Sequence, residues 1–479
     1  MVLMAVSASA ITVVSLRGPG WDEDSDVAGA AATTSGEGWK PQELNKMNKV
    51  LDLIEQRYLL PISRGTLLDG ALQGMMEALG DPYSTYMTEE EASKFTDTVQ
   101  GAFTGIGADL KIDNGSVVVV SPIKGSPADR AGLQPRDVLL TVNGDSLQGM
   151  TLGEAVAKIR GPKGTKAKLK VLRPGVNAPI ELELVRDRID LETVHGQIDK
   201  DGIGRLSINQ FTFDTPKQFE TELKALEEQG LKSLVIDVRN NPGGVLQAAL
   251  LVAQTFVPEG KPLMYYEYRD GQKKPELSGG NEDGSKAYPI FVLVNKGSAS
   301  AAEVLAGALK QSAGAVLVGE TTYGKGVVQS SYDEELGDGS LVKLTISKWL
   351  LPDGTWIGKK GIEPDVPVTQ PAYFLATKLP RDHELKLDST GGEIENLQQI
   401  LKGVGFPADR EDGYFSKDTE TAVKSFQRQH ELGITGIVDE KTAEKLEATL
   451  YEQTLQNPDA DTQWQAALRK AREKLGIAS

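Results

Sequence analysis

The chain of 479 residues contains no cysteine, which excludes disulfide staples, thiolate metal sites and a cysteine nucleophile. Histidine is almost as scarce. His195, His383 and His430 are too few and too scattered for a histidine metal cluster, and neither a metal nor a cofactor is expected. Surplus positive charge is missing too: a formal net charge of −16 argues against a nucleic-acid surface, which needs clustered Lys and Arg. The apolar start, residues 1–16, is shorter than the roughly 20 residues of a spanning helix and lacks the basic first part of a signal peptide. It reads as an export signal or membrane anchor whose basic start is missing from this sequence, with a buried or disordered terminus as the bland alternative. Ala8-Ser9-Ala10 has the small-x-small form of a cleavage site but stands early for one.

What remains is ordinary for soluble globular protein, with 39% hydrophobic and 25% charged residues, and the length calls for about three to four domains. Residues 1–37 read as signal or anchor remnant and linker. Residues 38–95 form a helical segment, because Leu44, Met47, Val50, Leu51 and Ile54, then Leu67, Leu68, Leu72, Met75 and Met76, recur at helical spacing on either side of Pro61. Two such helices bury little alone, so a second subunit, in a homodimer, is expected to cover them. Residues 96–188 switch to short β-type runs with Gly/Pro turns. In residues 189–385 strand-like runs alternate with helical stretches, which argues for an α/β core with parallel pairs. Within it, residues 269–289 are polar and Gly-rich and read as a surface loop. Residues 391–452 form a small helical domain, and 453–479 carry a last amphipathic helix.

Ser300 lies in Asn295-Lys-Gly-Ser-Ala-Ser-Ala-Ala-Glu303, at a strand-to-helix turn. Ser300-x-x-Glu303 fits an inert helix capping box. The same helix N-terminus also offers free N–H groups and a positive dipole end that favour an oxyanion. A Ser-His-Asp site needs an imidazole within hydrogen-bond reach, and no histidine lies between His195 and His383. A nucleophilic Ser300 would then take a lysine as its base, and Lys325, between Gly324 and Gly326 and before Val327 and Val328, is the best placed. Burial there would disfavour the ammonium form; the alternative is a solvated lysine in a glycine turn. Gln329 stands four residues on, roughly 13 Å away along a straight strand, so a role in orienting the amine requires a bend. Gly243 and Gly244 follow a buried-looking strand, where backbone N–H groups of Gly243 and Ala301 can donate to an oxyanion or merely make a tight turn.

Together these motifs resemble the carboxyl-terminal processing (tail-specific) proteases. The resemblance rests on Ser-Ala-Ser-Ala-Ala-Glu303, on Gly324-Lys-Gly-Val-Val-Gln329 25 residues after Ser300, on Asp237-Val-Arg-Asn-Asn-Pro-Gly-Gly244, and on Gly361-Ile-Glu-Pro-Asp365. It implies Ser300, rather than Ser298, as nucleophile, Lys325 as general base, Gln329 as orienter and a crotonase-like α/β core in a multidomain α+β chain. Ala302 departs from members that carry serine there, without consequence for the chemistry. Gly105-Ile106-Gly107, Ser126-Pro-Ala-Asp-Arg-Ala-Gly-Leu133 and Asp137-Val-Leu-Leu-Thr-Val-Asn-Gly144 in order resemble a PDZ domain, which implies capture of a substrate C-terminus by strand addition, the Gly105–Gly107 loop holding the carboxylate. Asp81-Pro-Tyr-Ser-Thr-Tyr86 resembles the family's link into that domain. Leu397-Gln-Gln-Ile-Leu-Lys402, Asp412-Gly-Tyr-Phe415, Thr421-Ala-Val-Lys-Ser-Phe-Gln427 and Thr435-Gly-Ile-Val-Asp439 resemble a peptidoglycan-binding helical domain, or a packing module of the same form. An extracytoplasmic serine endopeptidase acting on protein C-termini follows from the whole. An acyl-CoA enzyme on the same core and a non-catalytic scaffold are the rivals; neither accounts for Ser300, Lys325 and Gln329 together. Arg160, at the end of the helix expected to line the PDZ groove, is a candidate link between groove and active site, or only a helix cap.

Overall fold

The runs Ser233–Asp237 and Ile290–Val294 are apolar from end to end, as strands buried on both faces must be, and every residue in them is buried. They lie at the centre of a six-stranded sheet in this computed structural model, which describes residues 38–113, 115–176, 178–280 and 286–477. The expected signal and linker, residues 1–37, lie outside the described residues. The sheet runs Val194–Ile198, Ile203–Ile208, Ser233–Asp237, Ile290–Val294, Val316–Gly319 and Val366–Pro367. Only its first pair is antiparallel, so the expected parallel pairs are present. Helices Thr215–Glu228, Leu246–Gln254 and Ala301–Ser312 contribute to the principal core.

The chain also forms a second, five-stranded sheet. Its strand Leu341–Leu350 pairs with Val327–Tyr332, with Pro262–Glu267 and with Thr85–Met87. Three expectations are corrected here. The polar stretch 269–289 is not all loop, because Lys273–Leu277 forms a hairpin with Pro262–Glu267; alternate residues of an edge strand face water, so polarity alone reads as loop. The boundary at residue 95 falls inside a helix, Glu89–Gln100, which ends on Gly101 in the left-handed conformation and buries Ala92, Phe95 and Val99 in the protease core. The third is the boundary after residue 385, since Leu379 and Leu385 already belong to the core of the C-terminal helical domain.

Strands Ala102–Gly105 and Asp187–Asp190 pair antiparallel and form a ribbon carrying the second domain. In that domain Ala108–Asp113 is an edge strand, and the helix Leu152–Ile159 packs with it on one core. The C-terminal domain packs helices Gly392–Gly403, Lys417–Gln429 and Glu440–Leu450 around Leu397, Val423, Phe426 and Leu446. The last helix, Thr462–Leu475, does not continue this domain. It returns to the large sheet, where Trp464, Ala467 and Ala471 pack on Val235, Phe291 and Leu293. Its cap residue Asp461 takes two hydrogen bonds from Arg239, at 2.8 and 2.7 Å. Among the described residues no helix is long and apolar enough to cross a membrane.

Candidate active site

Strand Ile290–Val294 delivers the chain to a turn in which Ser298 and Ser300 have different fates. Ser298 Oγ donates to Val238 O at 2.7 Å and accepts from Asn295 N–H at 3.0 Å, so this hydroxyl fastens one strand end to another. Ser300 has φ 57° and ψ −116°, a strained conformation for a residue with a Cβ, and it is almost fully buried. It stands at the N-terminus of Ala301–Ser312, whose first N–H groups have no intrahelical acceptor.

Glu303 organises the surroundings. Its Oε2 accepts the backbone N–H of Ser300 at 2.8 Å and of Lys325 at 2.9 Å; its Oε1 accepts Gly324 N–H at 2.7 Å and the Thr322 hydroxyl. Burial pushes this carboxyl up from its usual range, while the four donors favour the ionised form. Serine and lysine backbones, 25 positions apart, thus meet on one oxygen atom. The Ser300–Glu303 pattern read as a capping box is this contact: the glutamate half caps Ser300 and reaches on to the lysine loop.

Lys325 is fully buried. The glycines beside it permit this: a Cβ on Gly324 would stand 2.8 Å from Gly361 N, and one on Gly326 2.5 Å from Trp356 Nε1. The carbonyls of Lys325 and Gly326 accept the indole N–H groups of Trp349 and Trp356, at 2.8 and 2.7 Å, which fixes the loop against the second sheet. The Lys325 ammonium lies 4.6 Å from the centre of the Tyr83 ring. Burial, and after it the charge of Lys343, lowers its pKa from 10.5 to about 7, against the pull of Asp81 and Glu303.

Gln329 is buried, and the pairing of its strand shifts register beside it, the extra residue lying on the partner strand. Val328 pairs with Ser347 but Gln329 pairs with Thr345, leaving Ile346 between them. The Gln329 amide donates to Thr345 Oγ1 at 3.1 Å, while its Oε1 is buried with no hydrogen-bond partner. Gly243 lies where the turn was expected: a Cβ there would stand 2.9 Å from Ser300 Cβ and 3.1 Å from Ala301 N. Its N–H, expected to face an oxyanion, is instead donated to Asn241 Oδ1 at 2.8 Å.

Comparison with known proteins places this arrangement. The description "Peptidase family S41" matches residues 202–368, "PDZ domain" matches 118–173, "Putative peptidoglycan binding domain" 390–446 and "Activating protease CtpB N-terminal domain" 9–91. The chain is 41% identical over 445 residues to the carboxy-terminal processing protease CtpB of Bacillus subtilis (strain 168), covering 92% of each chain. The chain belongs to the carboxy-terminal processing proteases. It is also 39% identical to CtpA of the same organism, over 99% of this chain and 98% of that one. Among solved structures, the photosystem II D1 C-terminal processing protease aligns at 30% identity over 67% of this chain and 86% of that chain, with a TM-score of 0.40. The protein is therefore a serine-type peptidase of multidomain α+β fold with PDZ and helical domains.

In this protease the remaining candidates fall in two places. Gly105, Ile106 and Gly107 form the turn from the ribbon into the PDZ edge strand. Gly107 has φ +74°, and a Cβ on it would stand 2.3 Å from Ser126 Cβ, so glycine is required there. Arg160 caps the end of Leu152–Ile159, donates to Asp97 Oδ2 at 3.1 Å, and lies 5.0 Å from the centre of the Phe103 ring.

Four contributors were missed in the sequence. Asp81 and Tyr83, seen only as part of a linking motif, form a roof over Lys325. Lys343 carries no motif at all. Asp461, in a tail left unassigned, holds Arg239, which also pairs with the buried Asp237. Burial would raise the Asp237 carboxyl, but the guanidinium groups of Arg239 and Arg205 hold it well below the usual range.

Proposed function

We propose that Ser300 is the nucleophile, Lys325 its general base and Gln329 the residue that orients the lysine amine, in an extracytoplasmic endopeptidase that selects substrates by their C-termini. The observation that carries this reading is the Glu303 carboxylate, one oxygen of which receives the backbone N–H of both Ser300 and Lys325. An amine that loses its proton near pH 7 can take the Ser300 proton as Oγ attacks a peptide carbonyl. The oxyanion then meets the N–H of Ala301 and the dipole of the helix behind it. Gly243 supplies a second N–H once the Asn241 amide releases it. The lysine ammonium returns its proton to the leaving amine, and water, with Lys325 again as base, hydrolyses the acyl-enzyme. The unpaired Gln329 Oε1 is available to accept one ammonium hydrogen and fix the direction of the others. A crotonase-like description of the core is part of this reading.

The edge strand Ala108–Asp113 and the helix Leu152–Ile159 supply the two walls between which a substrate end can add as a strand. The test uses unfolded proteins identical but for a free or amidated C-terminus, with products read by mass spectrometry. Amidation is expected to slow cleavage roughly tenfold, since the loop loses its carboxylate. Equal rates for the two would remove C-terminal recognition from the proposal.

Control is proposed to pass through Arg160. Asp97, its partner, lies on helix Glu89–Gln100, whose other face is part of the protease core. Arg160→Ala and Asp97→Asn should lower turnover of long substrates to a similar extent, with PDZ peptide affinity by calorimetry unchanged. A parallel loss of affinity would assign Arg160 to the groove.

Residues 390–446 are proposed to bind peptidoglycan, which fits action in the cell envelope. A homodimer is proposed through helices Pro41–Arg57 and Arg64–Glu77. Neither buries a residue in this chain, and Leu44, Met47, Val50, Leu53, Leu68 and Met75 stand exposed on them.

A further inference from the structure

The last helix, Thr462–Leu475, and the helix that begins beside Ser300 lie on opposite faces of the large sheet. Alternation along strand Ser233–Asp237 shows it. Leu234 and Ile236 join the core that holds Ala301, Val304 and Leu305, whereas Val235 packs with Trp464 and Ala467. Asp237 continues the second face, paired there with Arg205 of the neighbouring strand, whose guanidinium lies 5.2 Å from the centre of the Trp464 ring. The proposed reaction draws only on the first face, yet one side chain joins the second face to the reacting serine.

The turn after Asp237 is fastened to the Ser300 turn residue by residue. Val238 O accepts the Ser298 hydroxyl at 2.7 Å, Asn240 N–H donates to Asn295 Oδ1 at 2.9 Å, and Asn241 O accepts Ala299 N–H at 2.9 Å. Asn241 Oδ1 also holds the N–H of Gly243, the residue that lies against Ser300 and Ala301. Arg239, in the middle of this turn, sends its side chain to the last helix instead. Every N–H of its guanidinium has an acceptor: Asp237 at 2.9 and 2.8 Å, Asp461 at 2.8 and 2.7 Å, and Gln463 at 3.1 Å. A guanidinium forked between two carboxylates is fixed in plane as well as in position. The acceptors are fixed in turn. Asp461 caps its helix through Trp464 N–H at 2.9 Å, and Gln463, fully buried, donates to Val368 O at 2.8 Å.

Gly243 N–H reaches an oxyanion only by leaving Asn241 Oδ1. The exchange is productive if the surrounding backbone stays still, because a displacement of roughly 1 Å can forfeit most of a donor's effect. We infer that Asp461 and Gln463 are positioning residues for the oxyanion turn, which they hold through Arg239 from the opposite face of the sheet. Neither touches a reacting atom. The last helix is thereby part of the catalytic architecture. This rests on the proposal that Ser300 is the nucleophile and Gly243 an oxyanion donor.

The test measures kcat and KM on one peptide, together with inhibition by a matched peptide aldehyde and peptide alcohol. Ser300 Oγ adds to the aldehyde carbon and leaves an oxyanion at the turn, whereas the alcohol only fills the groove. Asp461→Ser keeps a helix cap but is too short to hold Arg239. It should lower kcat roughly tenfold with KM unchanged, and weaken the aldehyde by the same factor while leaving the alcohol as it was. Asp461→Asn keeps the cap and the size but only one acceptor oxygen, and should lose less. A lowered melting temperature with kcat and aldehyde affinity unchanged would make the contact purely structural and overturns the inference. Equal weakening of aldehyde and alcohol overturns it too, since the damage then lies in the groove. Should Asp461→Ser melt early, Asp461→Asn decides by the same readings. Full-rate cleavage by Ser300→Ala, or an unaltered enzyme that binds the aldehyde no more tightly than the alcohol, overturns the underlying reading instead.

Discussion

Ser300→Ala and Lys325→Ala should each abolish proteolysis, with losses on the order of 10⁴-fold or more, while the fold persists. The two losses should not add, because nucleophile and base act as a unit and either alone leaves nothing to activate or be activated. Lys325→Met is the better control for packing, since it fills the buried space that a fully enclosed lysine leaves. Lys325→Arg should be equally inactive, because a guanidinium stays protonated at any working pH. In the unaltered enzyme kcat/KM should climb with pH through about 7 and level off above it, since the amine accepts a proton only after losing its own. Gln329→Ala should cost less, because its amide touches Thr345 and can only aim the amine. Steady-state rates from pH 5 to 9, with circular dichroism on each variant, check all of this. A flat profile in an active enzyme would remove the lysine base.

How much of this was legible in the sequence depends on whether the deciding contacts are local. Strands Ser233–Asp237 and Ile290–Val294 could be read because burial on both faces leaves an uninterrupted apolar run. Ser300 and Lys325 stood out as candidates because each sits in a short motif whose glycines and small residues report close backbone approach. The hairpin Lys273–Leu277 could not, since an edge strand facing water has the composition of a loop. Nor could the roof over Lys325: Ser84 meets Thr345 across 261 positions, and nothing at either end names the other. The last helix shows the same limit. Its periodicity announces an apolar face, but not that Trp464 and Ala467 will cover the large sheet, or that Asp461 will reach Arg239 across 222 positions. That contact has a consequence for the site, because Arg239 stands two residues before Asn241, whose amide holds the Gly243 N–H. The tail therefore braces the turn that lies against Ser300.

Glu303 both caps the helix start at Ser300 and holds the Lys325 backbone, so the inert reading of its motif and the proposed catalytic one share a single residue. A capping glutamate on an exposed helix contributes a few tenths to about 1 kcal/mol and can be replaced without harm to function. Glu303 is fully buried, and its two oxygens satisfy four donors from two segments of chain. Replacing it with alanine would leave three backbone N–H groups and the Thr322 hydroxyl unpaired in a dry site. A loss of about 3–5 kcal/mol in stability is expected, large against the whole stability of a domain. Glu303→Gln separates charge from shape. The amide keeps one acceptor oxygen but turns an NH₂ group toward donors, so either the Ser300 and Lys325 pair or the Thr322 and Gly324 pair must face a donor. Stability should fall by less than in alanine, whereas kcat should still fall by about 100-fold or more, because serine and lysine no longer share a fixed oxygen. Calorimetric melting alongside kcat and KM on one peptide makes the comparison. A Glu303→Gln enzyme with kcat near that of the unaltered protein would reduce the residue to a helix cap. A low kcat with an unchanged KM and a modest loss of melting temperature is the signature of a clamp that holds two catalytic backbones in register.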